Sequence, residues 1–144
     1  MKLLGTNTSP YVRKVRLVLL EKNIPHSYLI DIPNNPGSQV AQVNPLGRIP
    51  ALILDDETCV YDSSVIAEYV DTLNDNPKLI PRHDALARMR VKRWEALADG
   101  IMDSAIVVRN ERMSEINWRA QHSNLATWFE RISARPSLCT SLAV

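Results

Sequence analysis

Hydrophobic and polar positions follow two different periods along the first part of the chain. Residues 2–4 predict a short strand that is stopped by Gly5, and residues 26–32 alternate like a second strand. Between them, apolar residues spaced by three and four predict a helix over residues 10–22, with Asn23 as a left-handed stop. The chain therefore begins with a βαβ unit.

A second unit follows with a different order of elements. A proline-containing loop at residues 33–37 precedes a short polar stretch at 39–43, which is either irregular or helical. Residues 49–54 and 58–61 predict a β-hairpin. Asp62 and Ser63 stand where the next helix begins, and this helix runs to about residue 73. Together the βαβ and ββα units predict a small mixed sheet covered by helices.

The pattern changes after residue 82. Residues 84–135 contain no proline and no strand signal, which predicts helix throughout. Turn formers and two prolines within residues 75–83 are typical of a linker. We therefore predict an α/β domain at residues 1–74, a linker at 75–83 and an all-α domain at 84–144.

Asp84 is the predicted cap of a long helix that carries two patterned faces. We expect its apolar face to pack as core against the α/β half. The apolar positions are Leu86, Trp94, Leu97, Ile101, Ala105 and Val108. The same helix carries a basic cluster of four residues, Arg88, Arg90, Lys92 and Arg93. This cluster is either a solvated face or a contact with acidic residues of a second subunit.

Composition limits the classes of function. Seventeen Lys and Arg against 16 Asp and Glu give a net charge of +1, too balanced for a typical nucleic-acid partner. Apolar runs fall far below the ~20 residues that cross a bilayer, and the N-terminus lacks a signal-peptide pattern, so we expect a cytoplasmic protein without a membrane partner. Cys59 and Cys139 support neither a disulfide framework nor a metal site, and the three histidines have no metal-ligand spacing.

Ser9 is the first candidate for chemistry, because it stands at a helix N-cap with Pro10 at the first helical position. Unpaired N–H groups and the positive end of the helix dipole favour an anion there, such as a thiolate. Lowering the pKa of a thiol from ~8.5 by about two units is worth ~2.7 kcal/mol, which a charge-assisted hydrogen bond and a helix terminus can supply. The alternative is that Ser9 only caps the helix.

Two further segments can each be either a ligand-binding site or an ordinary structural feature. Pro50 belongs at a strand start and is a candidate for a cis bond, which would leave the backbone of Ile49 available to an extended peptide ligand. The alternative is a plain loop with an edge proline. At Asp62 and Ser63, a ligand carboxylate would lie on Ser63 while Asp62 meets an ammonium; the alternative is an ordinary helix cap.

In this order and spacing, the segments resemble the cytosolic glutathione transferases of the serine-type bacterial kind. The resemblance implies a thioredoxin-like N-terminal domain followed by a helical bundle. Its markers are Ser9-Pro10-Tyr11 with Arg13-Lys14-Val15, the run Asn44-Pro45-Leu46-Gly47-Arg48-Ile49-Pro50, and Asp62-Ser63 with Ile66-Ala67-Glu68-Tyr69.

The resemblance implies a role for Ser9 as the hydroxyl that orients and stabilises the glutathione thiolate. Thr8 and Tyr11 are the fallback hydroxyls. Glutaredoxins, which are similar in fold, have Cys-Pro-Tyr-Cys where this chain has Ser9-Pro10-Tyr11-Val12, so dithiol redox chemistry at this position is excluded. The implied reaction is attack of the glutathione thiolate on a small hydrophobic electrophile.

The remaining implied contacts bind the glutathione backbone. Arg48 would approach the glycyl carboxylate, and Ile49 would pair with the cysteinyl part before a cis Pro50. Asp62 and Ser63 would hold the ammonium and the carboxylate of the γ-glutamyl end. Glutathione is thus the implied co-substrate, with no metal, and the implied assembly is a homodimer.

The resemblance breaks near residues 113–116. Residues 116–122 resemble a passage far downstream in a full transferase, and 125–137 resemble the family's last helix, so roughly two helices of the bundle are missing. Either the molecule contains residues that this sequence lacks, or the gene carries an internal deletion. An intact mass of 16.3 kDa would support the deletion. Three functions stay open: a transferase, a glutathione-binding protein with impaired catalysis, and a transferase-like interaction module of the stress-protein type.

Overall fold

A four-stranded sheet organises the first of two compact units, Met1–Glu95; the second unit is Ala96–Val144. The structure is a computed structural model that describes residues 1–113 together with residues 124, 127, 130, 131 and 134. The strands lie in the order β2-β1-β3-β4, where β1 is parallel to β2, and β3 is antiparallel to both β1 and β4. Their bounds are β1 Lys2–Gly5, β2 Ser27–Ile30, β3 Ala51–Ile53 and β4 Cys59–Val60.

Four helices connect and follow these strands within residues 1–113. They are α1 (Pro10–Glu21), α2 (Val40–Val43), α3 (Ser63–Thr72) and α4 (Ala85–Met113). The predicted order of elements and the thioredoxin-like mixed sheet are confirmed. Asn23 has the predicted left-handed backbone, with φ of 52°. The strands of the hairpin are shorter than predicted, although a backbone bond from the Leu54 N–H to the Thr58 carbonyl, 2.8 Å long, continues the pairing one step beyond β3.

The two faces of the sheet carry separate cores because successive residues of β1 point to opposite sides. Leu3 lies in the larger core, between the sheet and the packed pair α1 and α3. Its other fully buried members are Val12, Val15, Leu19, Leu52, Ile66 and Val70. Leu4 lies on the opposite face with Val40 of α2 and Ala51. The apolar spacing that predicted α1 is thus the spacing of its buried face.

Gly5 ends β1 at a point where α1 comes too close for a side chain. A Cβ atom there would lie 2.5 Å from Val12 Cγ2 and 2.8 Å from Val12 Cγ1. We expect Gly5→Ala to lower the free energy of unfolding by about 1–3 kcal/mol through overpacking, measured by urea denaturation. Because the clash is with Val12, adding Val12→Ala should recover part of this loss. Strictly additive losses in the double variant would contradict the close approach.

A buried ion pair joins the C-terminal end of α1 to Asp71 near the end of α3, and further bonds from the same groups reach the segment after α3. The Lys22 side chain is fully buried, and its Nζ donates to Asp71 Oδ1 at 3.0 Å and to the carbonyls of Asn74 and Pro77 at 2.6 and 2.7 Å. The N–H groups of Leu79 and Ile80 donate to the Asp71 carboxylate at 2.9 and 3.1 Å. These bonds hold residues 74–80 against the end of the α1 and α3 pair.

The start of α4 agrees with the sequence, but the expected burial of its apolar face is wrong. Asp84 caps the helix, since its Oδ1 accepts from the Ala87 N–H at 2.9 Å. Of the six apolar positions, Val108 is buried, whereas four are between 50 and 64% exposed. The exposed side chains are Leu86, Trp94, Leu97 and Ile101.

Ion pairs of the first unit explain this orientation. The side of α4 that meets α3 and α1 within Met1–Glu95 is its polar side: Arg88 and Lys92 pair with Glu68, and Glu95 pairs with Lys14. Arg88 and Lys92 therefore have acidic partners within their own chain, which neither interpretation of the basic cluster anticipated. Arg90 and Arg93, on the same helix, are exposed, as the solvated-face interpretation expects.

Several predictions for the C-terminal part fall outside the described residues. Residues 114–123, where the resemblance breaks, are among them, as is most of the predicted last helix. Of the described residues, Thr127, Glu130 and Arg131 within that helix and Asn124 just before it are helical, and Ala134 lies in a turn. Among the helices that the structure describes, none has the length and apolarity together that a membrane crossing requires. The domain boundaries at residues 74 and 84 stay predictions.

Candidate functional site

Two of the predicted site segments meet where β1 ends and β3 begins. The antiparallel register pairs Leu4 with Ala51, so the chain leaving β1 toward Ser9 lies beside the chain entering β3 from Pro50. Ile49 lies two residues before the first paired residue of β3 and is therefore outside the strand ladder. The Ile49–Pro50 bond is cis, as predicted.

The third segment reaches the same end of the sheet through β4. Val60 pairs with Leu52 in an antiparallel register, so β4 ends beside the beginning of β3, and Asp62 follows two residues after the end of β4. The N-termini of α1, at Pro10, and of α3, at Ser63, both start at this end. Two helix N-termini at one edge of a sheet favour a ligand that carries negative charge at two points.

Ser9 occupies the predicted N-cap of α1. Its φ and ψ of −77° and 123° are extended, and its Oγ accepts from the Val12 N–H at 3.3 Å. A hydroxyl that accepts this bond still has its own hydrogen to donate. The cap interpretation of Ser9 is therefore confirmed without excluding the anion-binding one, and the half-buried side chain keeps access to solvent.

The fallback hydroxyls have different surroundings. Thr8 is exposed in the turn before α1, where its Oγ1 lies 3.4 Å from Thr6 Oγ1. Tyr11 is half-buried in the first turn of α1. Of the three hydroxyl residues, Ser9 is the one that caps the helix and so lies at its dipole end.

A buried asparagine shapes the turn that leads to Ile49. Asn44, only 2% exposed, donates from Nδ2 to the Arg48 carbonyl at 2.7 Å and accepts the Leu46 N–H on Oδ1 at 3.0 Å. Its carbonyl accepts the N–H of Gly47, whose φ of 60° suits glycine. Arg48 is exposed at the end of this turn. In the sequence, Asn44 is only one of the residues that carry the family resemblance. In the structure, its side chain and carbonyl hold the turn together.

Asp62 is exposed and forms the N-cap of α3. Its Oδ1 accepts from both the N–H and the Oγ of Ser64, each at 2.8 Å. Partial burial works against ionisation of Asp62, but the bonds from Ser64 and the positive charge of Lys14 outweigh it and hold the pKa of this carboxyl below its usual value. Asp62 is therefore an anion at neutral pH. Ser63, by contrast, is only 2% exposed, so a ligand can reach little of it.

The loop after β2 borders the same end of the sheet, since the Asp31 N–H bonds to the Gly5 carbonyl at 3.0 Å. A cavity of about 280 Å³ lies in this loop and includes Gly47, the neighbour of Arg48. In the part of the chain that the structure describes, no group of three or more His, Cys, Asp or Glu side chains could hold a metal ion. The site is thus built from hydroxyls, backbone and one carboxylate.

Comparisons with known proteins agree with this architecture. The family model described as "Glutathione S-transferase, N-terminal domain" matches residues 8–73. The uncharacterized GST-like protein YibF of Escherichia coli is 46% identical over 112 residues, which cover 78% of this chain and 55% of that protein. The stringent starvation protein A homolog of Haemophilus ducreyi is 30% identical over 106 residues, covering 69% of this chain and 49% of that protein.

A solved structure is similar over a longer range. The crystal structure of a glutathione S-transferase from Methylobacillus flagellatus, with glutathione bound, has a TM-score of 0.74 and is 32% identical, covering 96% of this chain and 97% of that chain. The chain spans about half the length of the curated relatives it matches, 55% and 49% for the two named above.

Proposed function

Because the chain belongs to the glutathione S-transferase family, we propose that it binds glutathione at the sheet end formed by Ser9, Ile49 and Asp62 and activates its thiol. The observation that carries this proposal is the convergence of two capped helix N-termini on the end of the sheet where Ile49 lies outside the strand ladder. The bound glutathione in the similar Methylobacillus flagellatus structure supports it.

In the proposed reaction Ser9 stabilises a thiolate. The glutathione thiol gives its proton to solvent, and the sulfur accepts a hydrogen bond from the Ser9 hydroxyl at the positive end of α1. The thiolate sulfur then forms a carbon–sulfur bond with the electrophile. With an aryl halide, the halide leaves with the electron pair of the broken bond. Ser9 keeps its own proton, so the protein is not covalently modified.

The rest of the tripeptide is oriented by groups of both charges. The ionised Asp62 receives the γ-glutamyl ammonium, and the α3 N-terminus at Ser63 receives the γ-glutamyl carboxylate. The backbone of Ile49 pairs with the cysteinyl part, next to Pro50, and the exposed Arg48 approaches the glycyl carboxylate. The proposed second substrate is a small hydrophobic electrophile, and the proposed assembly is a homodimer, both from membership of the family.

Two other functions are alternatives. The chain is similar to a stringent starvation protein A homolog, and the first alternative is a transferase-like interaction module of the stress-protein type. The second alternative is a protein that binds glutathione but has impaired catalysis. One experiment separates the three.

We expect glutathione to stabilise the protein and an aryl halide to be conjugated. Saturation to a hundred times the Kd adds about 2.7 kcal/mol to the free energy of unfolding, which a thermal-shift measurement detects. Cysteinylglycine, which lacks the γ-glutamyl end, serves as the control and should shift the Tm far less. Stabilisation without conjugation would favour the binding function. No stabilisation at millimolar glutathione would contradict the proposed site and favour the interaction module.

A further inference from the structure

The side-chain amide of Asn44 meets two backbone groups of opposite hydrogen-bonding character. Its Nδ2 donates to the Arg48 carbonyl at 2.7 Å, and its Oδ1 accepts from the Leu46 N–H at 3.0 Å. Because the nitrogen only donates and the oxygen only accepts, the two partners fix the orientation of the amide. The side chain is buried, so water does not readily replace either partner. The Arg48 carbonyl is therefore held in one direction.

Helix α2 ties Asn44 to the sheet. The Asn44 N–H donates to the Val40 carbonyl at 2.8 Å. Val40 is itself fully buried, in the core that contains Leu4 and Ala51 of the sheet. On its other side, the Asn44 carbonyl accepts from the Gly47 N–H at 2.8 Å. Asn44 is thus anchored to the sheet through α2 and bonded to the turn that follows it.

The peptide unit between Arg48 and Ile49 carries this constraint into the candidate site. This unit is trans, and in a planar trans unit the carbonyl and the N–H point in opposite directions. Since the Arg48 carbonyl is turned toward Asn44, the Ile49 N–H faces away from it. Among residues 1–113, no group accepts a hydrogen bond from the Ile49 N–H. The bond that satisfies the carbonyl therefore also sets the direction of an unpaired donor.

We propose that Asn44 is a positioning residue for ligand specificity: by holding the Arg48 carbonyl, it aims the Ile49 N–H at the cysteinyl carbonyl of glutathione. The proposal rests on the glutathione site proposed above. A donor whose direction is already fixed loses little freedom when the ligand binds, so its bond contributes to affinity. A ligand without an acceptor at this point leaves the N–H unpaired and should bind more weakly.

A pair of ligands isolates this bond. One is glutathione, and the other has a trans carbon–carbon double bond in place of the amide between cysteine and glycine. The second ligand lacks the acceptor but keeps the thiol, the ammonium and both carboxylates. The measured quantity is the ratio of Kd for this alkene analogue to Kd for glutathione, obtained by titration calorimetry at neutral pH. For the wild type we expect a ratio of about 3 to 10, which corresponds to one neutral hydrogen bond.

Two variants break the bond to the Arg48 carbonyl but keep an acceptor for the Leu46 N–H. Asn44→Asp has the same shape and places an oxygen against the carbonyl, which should turn away and take the Ile49 N–H with it. Asn44→Ser is uncharged and too short to reach the carbonyl, although its hydroxyl can still accept in the turn. In both variants we expect the ratio to fall toward one.

The control is Asn35→Asp, which makes the same chemical change at an exposed position of the loop after β2. It should keep the wild-type ratio. The charge that an aspartate adds acts on both ligands alike, since they carry the same charges, and it cancels in the ratio.

A merely structural role of Asn44 would weaken both ligands equally. The wild-type ratio retained in Asn44→Asp and Asn44→Ser would therefore overturn the inference, and so would a ratio of one in the wild type. If Asn44→Asp does not fold, Asn44→Ser decides by the same criterion. Failure of the proposed function is distinguishable, because the wild-type protein would then bind neither ligand.

Discussion

We expect Ser9→Ala to lower kcat for conjugation of a chromogenic aryl halide by about ten- to a hundredfold while the Kd for glutathione stays nearly unchanged. The lost hydrogen bond is to a thiolate, and such charge-assisted bonds contribute about 1.5–3 kcal/mol. The tripeptide keeps its contacts at Ile49 and Asp62, so binding survives. Without the hydroxyl, the pKa of the bound thiol rises, which shifts the pH dependence of kcat toward higher pH.

Controls for this variant follow from the second role of the same hydroxyl. Because Ser9 Oγ accepts from the Val12 N–H, Ser9→Ala also removes a helix cap, at a cost of about 1 kcal/mol of stability, and rates must be measured well below the Tm. Ser9→Thr keeps both the cap and the donor. Thr8→Ala tests the neighbouring hydroxyl and should leave kcat unchanged. Unchanged turnover in Ser9→Ala would remove Ser9 from the mechanism, and a loss in Thr8→Ala would transfer its role to Thr8.

The largest effect on stability is expected at the buried ion pair. Lys22→Met should lower the free energy of unfolding by about 3–5 kcal/mol, because it leaves the Asp71 carboxylate and the carbonyls of Asn74 and Pro77 without their ammonium. Urea denaturation followed by circular dichroism measures this loss. Lys78→Met is the matched control, since its ammonium meets Asp75 at 3.4 Å on the surface and should cost less than about 1 kcal/mol. Equal losses in the two variants would show that the buried pair is no stronger than the exposed one.

The same pair makes a pH-dependent contribution with a defined sign. Burial works against ionisation of Asp71, but the N–H donors of Leu79 and Ile80 and the Lys22 ammonium outweigh it and lower the pKa of this carboxyl from its ordinary value of 3.8. A carboxyl with a lowered pKa stabilises the fold fully above its unfolded pKa, and this stability is lost as the pH falls through the folded pKa. Acid unfolding of the wild type should therefore be steeper below pH 3.8 than that of Asp71→Asn. An identical acid profile for the two proteins would contradict this contribution.

Local signals in the sequence were sufficient for the elements and for several details of the site. Ser9, Asp62 and Asp84 cap their helices as predicted, because a cap is a contact between residues two or three positions apart. The apolar spacing of α1 predicts its buried face. That the hydroxyl, peptide and carboxylate segments come to one end of the sheet is not a local property, because it follows from the strand order and register.

Contacts between distant positions could not be read in the same way. Lys22 is 49 positions from Asp71, and Lys14 is 81 positions from Glu95. In sequence, these residues look like ordinary surface charges, and their burial follows from how α1, α3 and the start of α4 pack. The apolar spacing of α4 likewise suggested a buried face, but its polar side meets α1 and α3 within the first unit. Periodicity shows that a helix has two faces, whereas ion pairing with the neighbouring helices selects the face that turns inward.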